Sequence, residues 1–197
     1  MIIKFLRHNH YMKVLDLFCG CGGISSGLYK SGFDIVGGID FDKDSTETFK
    51  YNFPNAKVIC DDISKLQKKI IMEHFPNDID VIVGGPPCQG FSNANRWQNE
   101  KEDPRNKLFF EFLRFVEQIK PRIVIIENVR GILTKDNGFA KERIIKNITN
   151  LGYEIFSEIL NASDYGVPQN RFRAFFVGFK NDLKKKEFKL EKNKSQK

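Results

Sequence analysis

The sequence has little that would place it in a membrane or an export pathway. Its longest apolar runs, such as Ile123-Val124-Ile125-Ile126, are far too short to span a bilayer. The first eleven residues, MIIKFLRHNHY, lack the apolar stretch and the small-residue cleavage site of a signal peptide. We therefore interpret residues 1–11 as a short leader, with Met12 as an alternative start, and expect a cytoplasmic protein.

Cysteine and histidine are also scarce. The four cysteines, at positions 19, 21, 60 and 88, form no CxxC pair, and none of the three histidines stands at metal-ligand spacing. This pattern argues against a zinc site and against a disulfide framework, and we predict no metal. A single cytosolic cysteine is usually a small buried residue, so a reactive one needs further evidence.

The excess of positive charge is concentrated at one end of the chain. Residues 180–197 hold eight lysines and three acidic residues, which is +5 of the formal net charge of +7, so residues 1–179 carry only +2. We interpret residues 180–197 as a flexible, solvated, Lys-rich tail. Because the rest of the chain is not broadly basic, nucleic-acid binding has to be argued from particular residues.

Apolar runs alternate with helical patterns over residues 12–179, which we predict to form one domain. Several of the runs are continuously apolar, which is typical of parallel strands covered by helices on both faces. The pattern predicts seven strands, at residues 13–18, 34–39, 57–60, 79–83, 122–126, 153–160 and 173–179. It predicts helices at residues 23–31, 43–52, 64–74, 105–119 and 139–151. The predicted fold class is α/β, with a doubly wound, mostly parallel sheet whose ligand lies beyond the carboxyl ends of the strands.

A glycine-rich turn follows the first strand, in DLFCGCGGISSGL at residues 16–28. Gly20, Gly22 and Gly23 allow a tight strand-to-helix turn in which the backbone can approach a ligand closely. The spacing fails G-x-G-x-x-G because Ser25 stands where the third glycine belongs, which argues against a nicotinamide dinucleotide. A glycine-rich turn alone is how many α/β domains begin.

The next two strand ends carry groups that suit a nucleoside. Asp40 lies twenty residues after Gly20, where a carboxylate can accept hydrogen bonds from ribose hydroxyls, and Phe41 can offer a ring face to adenine. Asp62 follows the third strand and can accept a hydrogen bond from an exocyclic amine. Each aspartate could equally be a helix N-cap or a solvated turn residue. Together, the three groups favour a nucleoside pocket.

The fourth strand leads into GGPPCQGFS at residues 84–92, and the fifth leads into Glu127. Two prolines fix φ and donate no N–H, so we expect the chain to leave the sheet rigidly and to carry Cys88 at the strand tip. The thiol and the carboxyl would then lie side by side. The segment QNRFR brings Arg171 and Arg173 toward the same edge, although Arg171 taken alone is better explained as a surface charge.

These segments, in this order, resemble the cytosine-5 DNA methyltransferases. The resemblance runs from about Lys13 to Gly178 and is carried by DLFCGCGG, GGPPCQGFS, DPRNKLFFEFLR, ENVRGIL and NASDYGVPQNRFR. It implies a Rossmann-like sheet of the S-adenosylmethionine-dependent type and a restriction–modification setting. The implied activity is methyl transfer from S-adenosylmethionine to carbon 5 of cytosine in DNA, in the cytoplasm or on the nucleoid.

The resemblance also assigns roles to residues. Cys88 would add to carbon 6 of a flipped cytosine, and Glu127 would be held protonated so that it donates a hydrogen bond to nitrogen 3. Arg173 would bind the carbonyl oxygen of the cytosine, and Arg171 is the fourth implied catalytic residue. The implied cofactor-binding residues are Phe18, Gly20, Gly22, Gly23, Asp40, Phe41, Asp62, Ile63, Pro87 and Leu108. The polar stretch 89–103 is expected to close over the flipped base, with Gln89, Ser92, Arg96 and Arg105 contacting DNA.

One departure from the family is informative. Its members continue past the arginine pair with a target-recognition region and two further motifs, the last resembling Gly-Asn-Ser-Val, and residues 180–197 resemble none of these. We favour the catalytic half of a split enzyme, with a second polypeptide supplying the rest. A truncated or inactive module that binds cofactor or partner without turnover is one alternative. An RNA (tRNA) cytosine-5 methyltransferase is another, although that branch carries PPCQPFT where this chain has Gly90 and Ser92.

Overall fold

The computed structural model describes residues 11–87 and 107–183, with the backbone alone at residues 135 and 136. The predicted leader (but for Tyr11), the stretch 89–103 and most of the predicted tail lie outside the described residues. Seven strands form one sheet: β1 (Lys13–Leu17), β2 (Asp34–Asp40), β3 (Lys57–Cys60), β4 (Val81–Gly84), β5 (Ile123–Val129), β6 (Tyr153–Asn161) and β7 (Phe172–Lys180). The α-helices are α1 (Gly23–Lys30), α2 (Lys43–Asn52), α3 (Lys68–His74), α4 (Lys107–Ile119) and α5 (Phe139–Asn150).

The sheet is doubly wound, as predicted. Its strand order is β3-β2-β1-β4-β5-β7-β6, with β1 to β5 parallel and β7 antiparallel to both of its neighbours. Strands β2 and β3 are added in turn on one side of β1, and β4 then pairs with β1 on its other side. The strand order therefore reverses between β1 and β4, and the crevice beyond their carboxyl ends is where open α/β sheets bind ligands.

Alternate residues of the central strands face opposite helical layers. Leu15 and Leu17 belong to the larger core cluster, which the apolar faces of α4 and α5 cover, whereas Val14 belongs to a second cluster with Phe49 and Phe53. Burial of one such side chain is worth roughly 1.5–3 kcal/mol. The continuously apolar strands are explained by this two-sided burial.

Helix α4 presents a wide apolar face to the core. Phe109, Phe112 and Phe115 are all fully buried. Leu108 in the first turn is only half-buried and packs on the edge of the larger cluster. The helix thus fixes its first turn, which follows the undescribed residues 88–106, against the sheet.

Two elements differ from the prediction by more than two residues at one boundary. The helix expected at 64–74 is a 3-10 turn, Ile63–Lys65, followed by α3, because Leu66 and Gln67 have extended backbone angles. Strand β5 continues beyond Ile126 to Val129, because β7 pairs with it as far as Arg173 opposite Val129. Glu127 therefore lies within a strand and not in a loop.

Candidate active site and cofactor cleft

The turn after β1 is built on left-handed backbone. Phe18, Gly20 and Gly22 have φ values of +61°, +51° and +91°, and only the two glycines adopt such angles at little cost. At Gly22 a Cβ would also stand 2.6 Å from Cε2 of Phe53, whereas at Gly20 and Gly23 it would meet nothing within 4 Å. Gly22 is thus required by packing, and the backbone at the other two glycines borders open space.

Asp40 joins this turn to the end of β2. Its Oδ2 accepts a 2.8 Å hydrogen bond from the Gly20 amide, and its Oδ1 accepts a 3.0 Å bond from the Asp42 amide. Asp42, and not Asp40, caps α2 through the Ser45 amide. Each Asp40 oxygen keeps a second lone-pair direction for another donor. Phe41 beside it is 78% exposed, so one ring face is open.

Asp62 caps the 3-10 turn that follows β3. Its Oδ1 accepts a 2.9 Å hydrogen bond from the Ser64 amide, so the N-cap alternative weighed for this residue is realised. The Ser64 hydrogen bonds hold the pKa of the Asp62 carboxyl below its usual range. Asp62 therefore remains an ionised acceptor, which is the state that an exocyclic amine would need. Ile63 is buried in the same core cluster that Phe18 and Leu108 contact.

A buried carboxyl lies beneath the glycine turn. Asp16 on β1 is buried, its Oδ2 accepts a 2.6 Å hydrogen bond from the Ser25 hydroxyl, and its Oδ1 has no partner among the described residues. Desolvation raises the pKa of Asp16 to about 7. Sequence analysis missed this pair, although a lone acidic residue in an apolar strand is a signal that could have revealed it. Burial also raises the pKa of the Cys19 thiol, which makes it a poor nucleophile.

A second cleft lies where β4, β5 and β7 end. Its volume is about 430 Å³, and it is lined by Gly85, Pro86, Pro87, Glu127, Asn128, Val129, Gly131, Ile132, Arg171 and Arg173. Of the predicted catalytic residues, three therefore line one cleft. Cys88 lies outside the described residues, as do Gln89, Ser92, Arg96 and Arg105. Pro87, the residue before Cys88, is part of the cleft wall.

Glu127 and Arg173 form an ion pair across the β5–β7 ladder. Arg173 Nε lies 2.8 Å from Glu127 Oε1, and both side chains are about one-quarter exposed. The register explains the contact: Arg173 pairs with Val129, which lies two residues from Glu127 on the same face, so the two side chains are diagonal neighbours. Arg173 also donates to the Phe172 carbonyl oxygen at 2.9 Å.

Asn128 ties the exit of β4 to the end of β5. Its Nδ2 donates a 2.9 Å hydrogen bond to the Pro86 carbonyl, and its Oδ1 accepts one from the Val129 amide. A Cβ at Gly85 would lie 3.3 Å from Glu127 Oε2, a close contact that the carboxylate could relieve only by shifting a few tenths of an ångström. The double-proline segment is therefore held directly beside Glu127.

The mouth of the cleft carries positive charge beside apolar surface. Arg171 is exposed and forms no ion pair within the described part of the chain. The Arg130 guanidinium, which the sequence analysis had not singled out, lies 5.3 Å above the Phe172 ring. Val129, the neighbour of Arg130 in the chain, is 57% exposed. The rim therefore combines positive charge with exposed apolar surface.

The described residues contain neither a membrane-crossing helix nor a cluster of metal ligands. Across residues 11–87 and 107–183, no helix is long and apolar enough to cross a membrane. The same residues contain no group of three or more His, Cys, Asp or Glu side chains placed to hold a metal. The three described cysteines, Cys19, Cys21 and Cys60, are free thiols.

The seven-stranded α/β sheet carries Asp40 and Asp62 at its β2–β3 edge and a carboxylate–guanidinium cleft where β4, β5 and β7 end. The sequence model of the family described as C-5 cytosine-specific DNA methylase matches residues 12–197. The chain belongs to that family, as its motifs predicted. The matched range includes residues 180–197, which we had interpreted as a tail.

Known relatives match most of this chain, but this chain covers only about half the length of each relative. Type II methyltransferase M.DdeI of Desulfomicrobium norvegicum is 44% identical over 87% of this chain and 41% of its own length. Type II methyltransferase M.FnuDI of Fusobacterium nucleatum is 44% identical over 87% of this chain and 48% of its own. The crystal structure of the S. pombe Dnmt2 methyltransferase superposes with a TM-score of 0.67 at 28% identity, covering 91% of this chain and 52% of that one.

Proposed function

We propose that this chain transfers a methyl group from S-adenosylmethionine to carbon 5 of cytosine in DNA. The observation that carries the proposal is the shared cleft, in which the double-proline exit of β4 lies beside Glu127 and the two arginines. Membership of the C-5 cytosine-specific DNA methylase family supports it, as do relatives named as Type II methyltransferases. Those relatives are bacterial, which favours action in the cytoplasm or on the nucleoid, within restriction–modification.

The residues at the β1–β3 edge fit S-adenosylmethionine. The free lone-pair directions of Asp40 suit ribose hydroxyls, the exposed ring of Phe41 suits an adenine face, and the ionised Asp62 suits an exocyclic amine. The open space beside Gly20 and Gly23 leaves room for the rest of the molecule. Phe18, Ile63 and Leu108 share one apolar cluster behind this edge, and Pro87 stands toward the second cleft. When bound, the cofactor supplies an electrophilic methyl group on a sulfonium.

In the proposed reaction, the chain supplies a nucleophile and a proton donor. Carbon 5 of cytosine is a poor nucleophile until the Cys88 thiolate adds to carbon 6 and makes an enamine. Carbon 5 would then take the methyl group while the S–CH₃ bonding pair stays on the sulfur as a neutral thioether. The carbon 5 proton would pass to water, and the thiolate would be expelled with the C6–S bonding pair. Arg171, Arg173 and backbone amides near Cys88 would supply the positive potential that keeps the thiol ionised.

The ion pair between Glu127 and Arg173 sets a condition on this reaction. A carboxylate paired with a guanidinium accepts hydrogen bonds, whereas nitrogen 3 of the adduct needs a donor. We propose that an entering cytosine separates the pair, so that Arg173 turns to the base carbonyl oxygen and Glu127 takes up a proton to face nitrogen 3. One such pre-placed donor is typically worth about 2.7–4 kcal/mol of transition-state stabilisation.

The base must leave the duplex to reach this cleft. We propose that residues 89–103 close over the flipped base, with Gln89, Ser92, Arg96 and Arg105 contacting DNA. Support comes from the sequence, in which this stretch begins two residues after Pro87, a residue of the cleft wall. The exposed Arg171 and Arg130 at the rim would meet phosphates.

We further propose that this chain acts with a second polypeptide. It spans 41% and 48% of the length of the two Type II relatives, so about half of each relative has no counterpart in the match. The second polypeptide would supply target recognition and the remaining motifs. The alternatives are a module without turnover and an enzyme that acts on tRNA.

The test is tritiated methyl transfer to mixed-sequence DNA, with and without the polypeptide encoded by the adjacent reading frame. We expect little transfer from the chain alone, restored transfer with the partner, and none from the pair carrying Cys88→Ser. Transfer by the chain alone would refute the need for a partner. Transfer to tRNA in place of DNA would favour the RNA enzyme, and inactivity with every neighbouring product would favour the module without turnover.

A further inference from the structure

Two walls of the proposed adenine pocket come from separate elements. Asp62 and Ile63 stand on the 3-10 turn after β3, whereas Leu108 stands on the first turn of α4. A base that contacts both walls is held well only if the turn and the helix are fixed relative to each other. Arg114 makes a polar link between them.

Arg114 projects from α4 and binds in two directions at once. Its Nη2 donates a 2.9 Å hydrogen bond to the Ile63 carbonyl oxygen, and its Nε donates a 2.7 Å charge-assisted bond to Glu111 Oε2. The guanidinium carbon lies 4.9 Å above the ring of the buried Phe115. Both partners of the ion pair are mostly shielded, with side-chain exposures of 27% and 18%. The planar guanidinium therefore has one defined orientation.

The bonded carbonyl belongs to the turn that Asp62 caps. The only other described donor to Ile63 O is the Leu66 amide, at a longer 3.3 Å. Asp62 is fixed to the same turn through the Ser64 amide. A rotation of the turn would therefore move the Asp62 carboxylate and the Ile63 side chain together, and the Arg114 bond opposes that rotation.

We propose that Arg114 is a positioning residue for adenine recognition. It holds the Asp62–Ile63 turn against α4, so that the Asp62 carboxylate points at the exocyclic amine of the base. Arg114 touches neither cofactor nor DNA in this role, and Glu111 orients the guanidinium. The inference rests on the proposed function, because it needs an adenine-bearing cofactor at this edge.

The test compares two ligands that differ at the exocyclic group. S-adenosylhomocysteine carries the amine, and S-inosylhomocysteine carries a carbonyl oxygen in its place. A positioned hydrogen bond to a charged acceptor is worth about tenfold to a hundredfold in affinity. We expect the unsubstituted chain to prefer the adenine ligand by about tenfold or more in isothermal titration calorimetry.

Arg114→Lys keeps the charge but cannot reproduce the two-directional fork. We expect it to reduce the adenine preference to about threefold or less while the affinity for the inosine ligand changes little. Arg143→Lys is the matched control. Arg143 also lies above an aromatic ring of its own helix, 4.6 Å from the centre of the Phe139 ring, but that helix is α5 and not α4. The Arg143→Lys chain should keep the full preference for the adenine ligand. Hydrogen exchange of the unliganded chain should be faster at residues 62–66 in Arg114→Lys alone.

The outcomes separate the inference from the proposed function. If the unsubstituted chain binds neither ligand, alone or together with the second polypeptide, the cofactor assignment fails and takes the inference with it. If the unsubstituted chain discriminates and Arg114→Lys keeps that discrimination, the inference is wrong while the function stands. Equal losses for both ligands would also overturn it, because they would show only a loss of stability.

Discussion

Replacing Asp16 with asparagine should make the protein more stable at alkaline pH. The Asp16 carboxyl is buried, and desolvation raises its pKa from 3.8 to about 7. In the unfolded chain the group ionises near its ordinary pKa, so between these two values the folded state binds the extra proton. Stability from this group is therefore complete below about pH 4, falls as the pH rises, and is lost above about pH 7.

The magnitude follows from the size of the pKa shift. One pKa unit corresponds to 1.36 kcal/mol, so the loss between pH 5 and pH 8 is roughly 2.5 kcal/mol. Asparagine is neutral throughout, and its amide oxygen can still accept the hydrogen bond that Ser25 gives to Asp16. The quantity to follow is the unfolding free energy of Asp16→Asn minus that of the unsubstituted chain. We expect this difference to increase by roughly 2.5 kcal/mol between pH 5 and pH 8.

The assay is urea unfolding followed by far-ultraviolet circular dichroism at four pH values from 5 to 8. Taking the difference between the two chains cancels the titrating groups that do not interact with Asp16. Ser25→Ala is a useful companion, because the hydrogen bond from the Ser25 hydroxyl lowers the pKa of Asp16. Loss of this one bond should raise the pKa and move the fall in stability to higher pH. A difference between Asp16→Asn and the unsubstituted chain that stays constant across the range would refute the reasoning.

Two other substitutions test the cofactor edge. Gly22→Ala should destabilise the fold by about 2–5 kcal/mol, because alanine is strained in the left-handed backbone and its Cβ would clash with the Phe53 ring. Gly23→Ala is the control: its Cβ would meet open space, so the urea midpoint should change little. A Gly22→Ala chain as stable as the unsubstituted one would contradict this account. Phe41→Ala should leave stability unchanged but weaken S-adenosylhomocysteine binding by about 1–3 kcal/mol in calorimetry, the usual value of base stacking. Tyr51→Ala, which removes an 87% exposed ring on α2, is its control, and equal losses in both variants would argue against stacking on Phe41.

The sequence predicted the sheet well because its strands are buried on both faces. Apolar runs bounded by glycine, proline and aspartate identified all seven strands and the edge at which the site lies. The sequence did not predict the break between the 3-10 turn and α3. Hydrophobic periodicity is read over a window of many residues, so two extended residues within an otherwise helical pattern leave it unchanged.

Pairwise side-chain geometry could not be predicted in the same way. That Glu127 and Arg173 approach one edge was expected, but their ion pair depends on the register of β7 against β5, which local sequence does not encode. The links made by Arg114 and by Asp16 with Ser25 are similar cases. Each depends on how one element packs against another, whereas motif and periodicity arguments describe single elements.

The position of β7 has a consequence for how the domain assembles during synthesis. β7 follows β6 in the chain, yet it lies between β5 and β6 in the sheet. A nascent chain that has emerged only as far as β6 has an unpaired β5 edge and no partner for Glu127. Strand β7 pairs with β5 by contacts that are distant in sequence and therefore slow to form. The cleft that Glu127 and Arg173 line is thus completed late, after the glycine turn and β1–β4 are already available to fold.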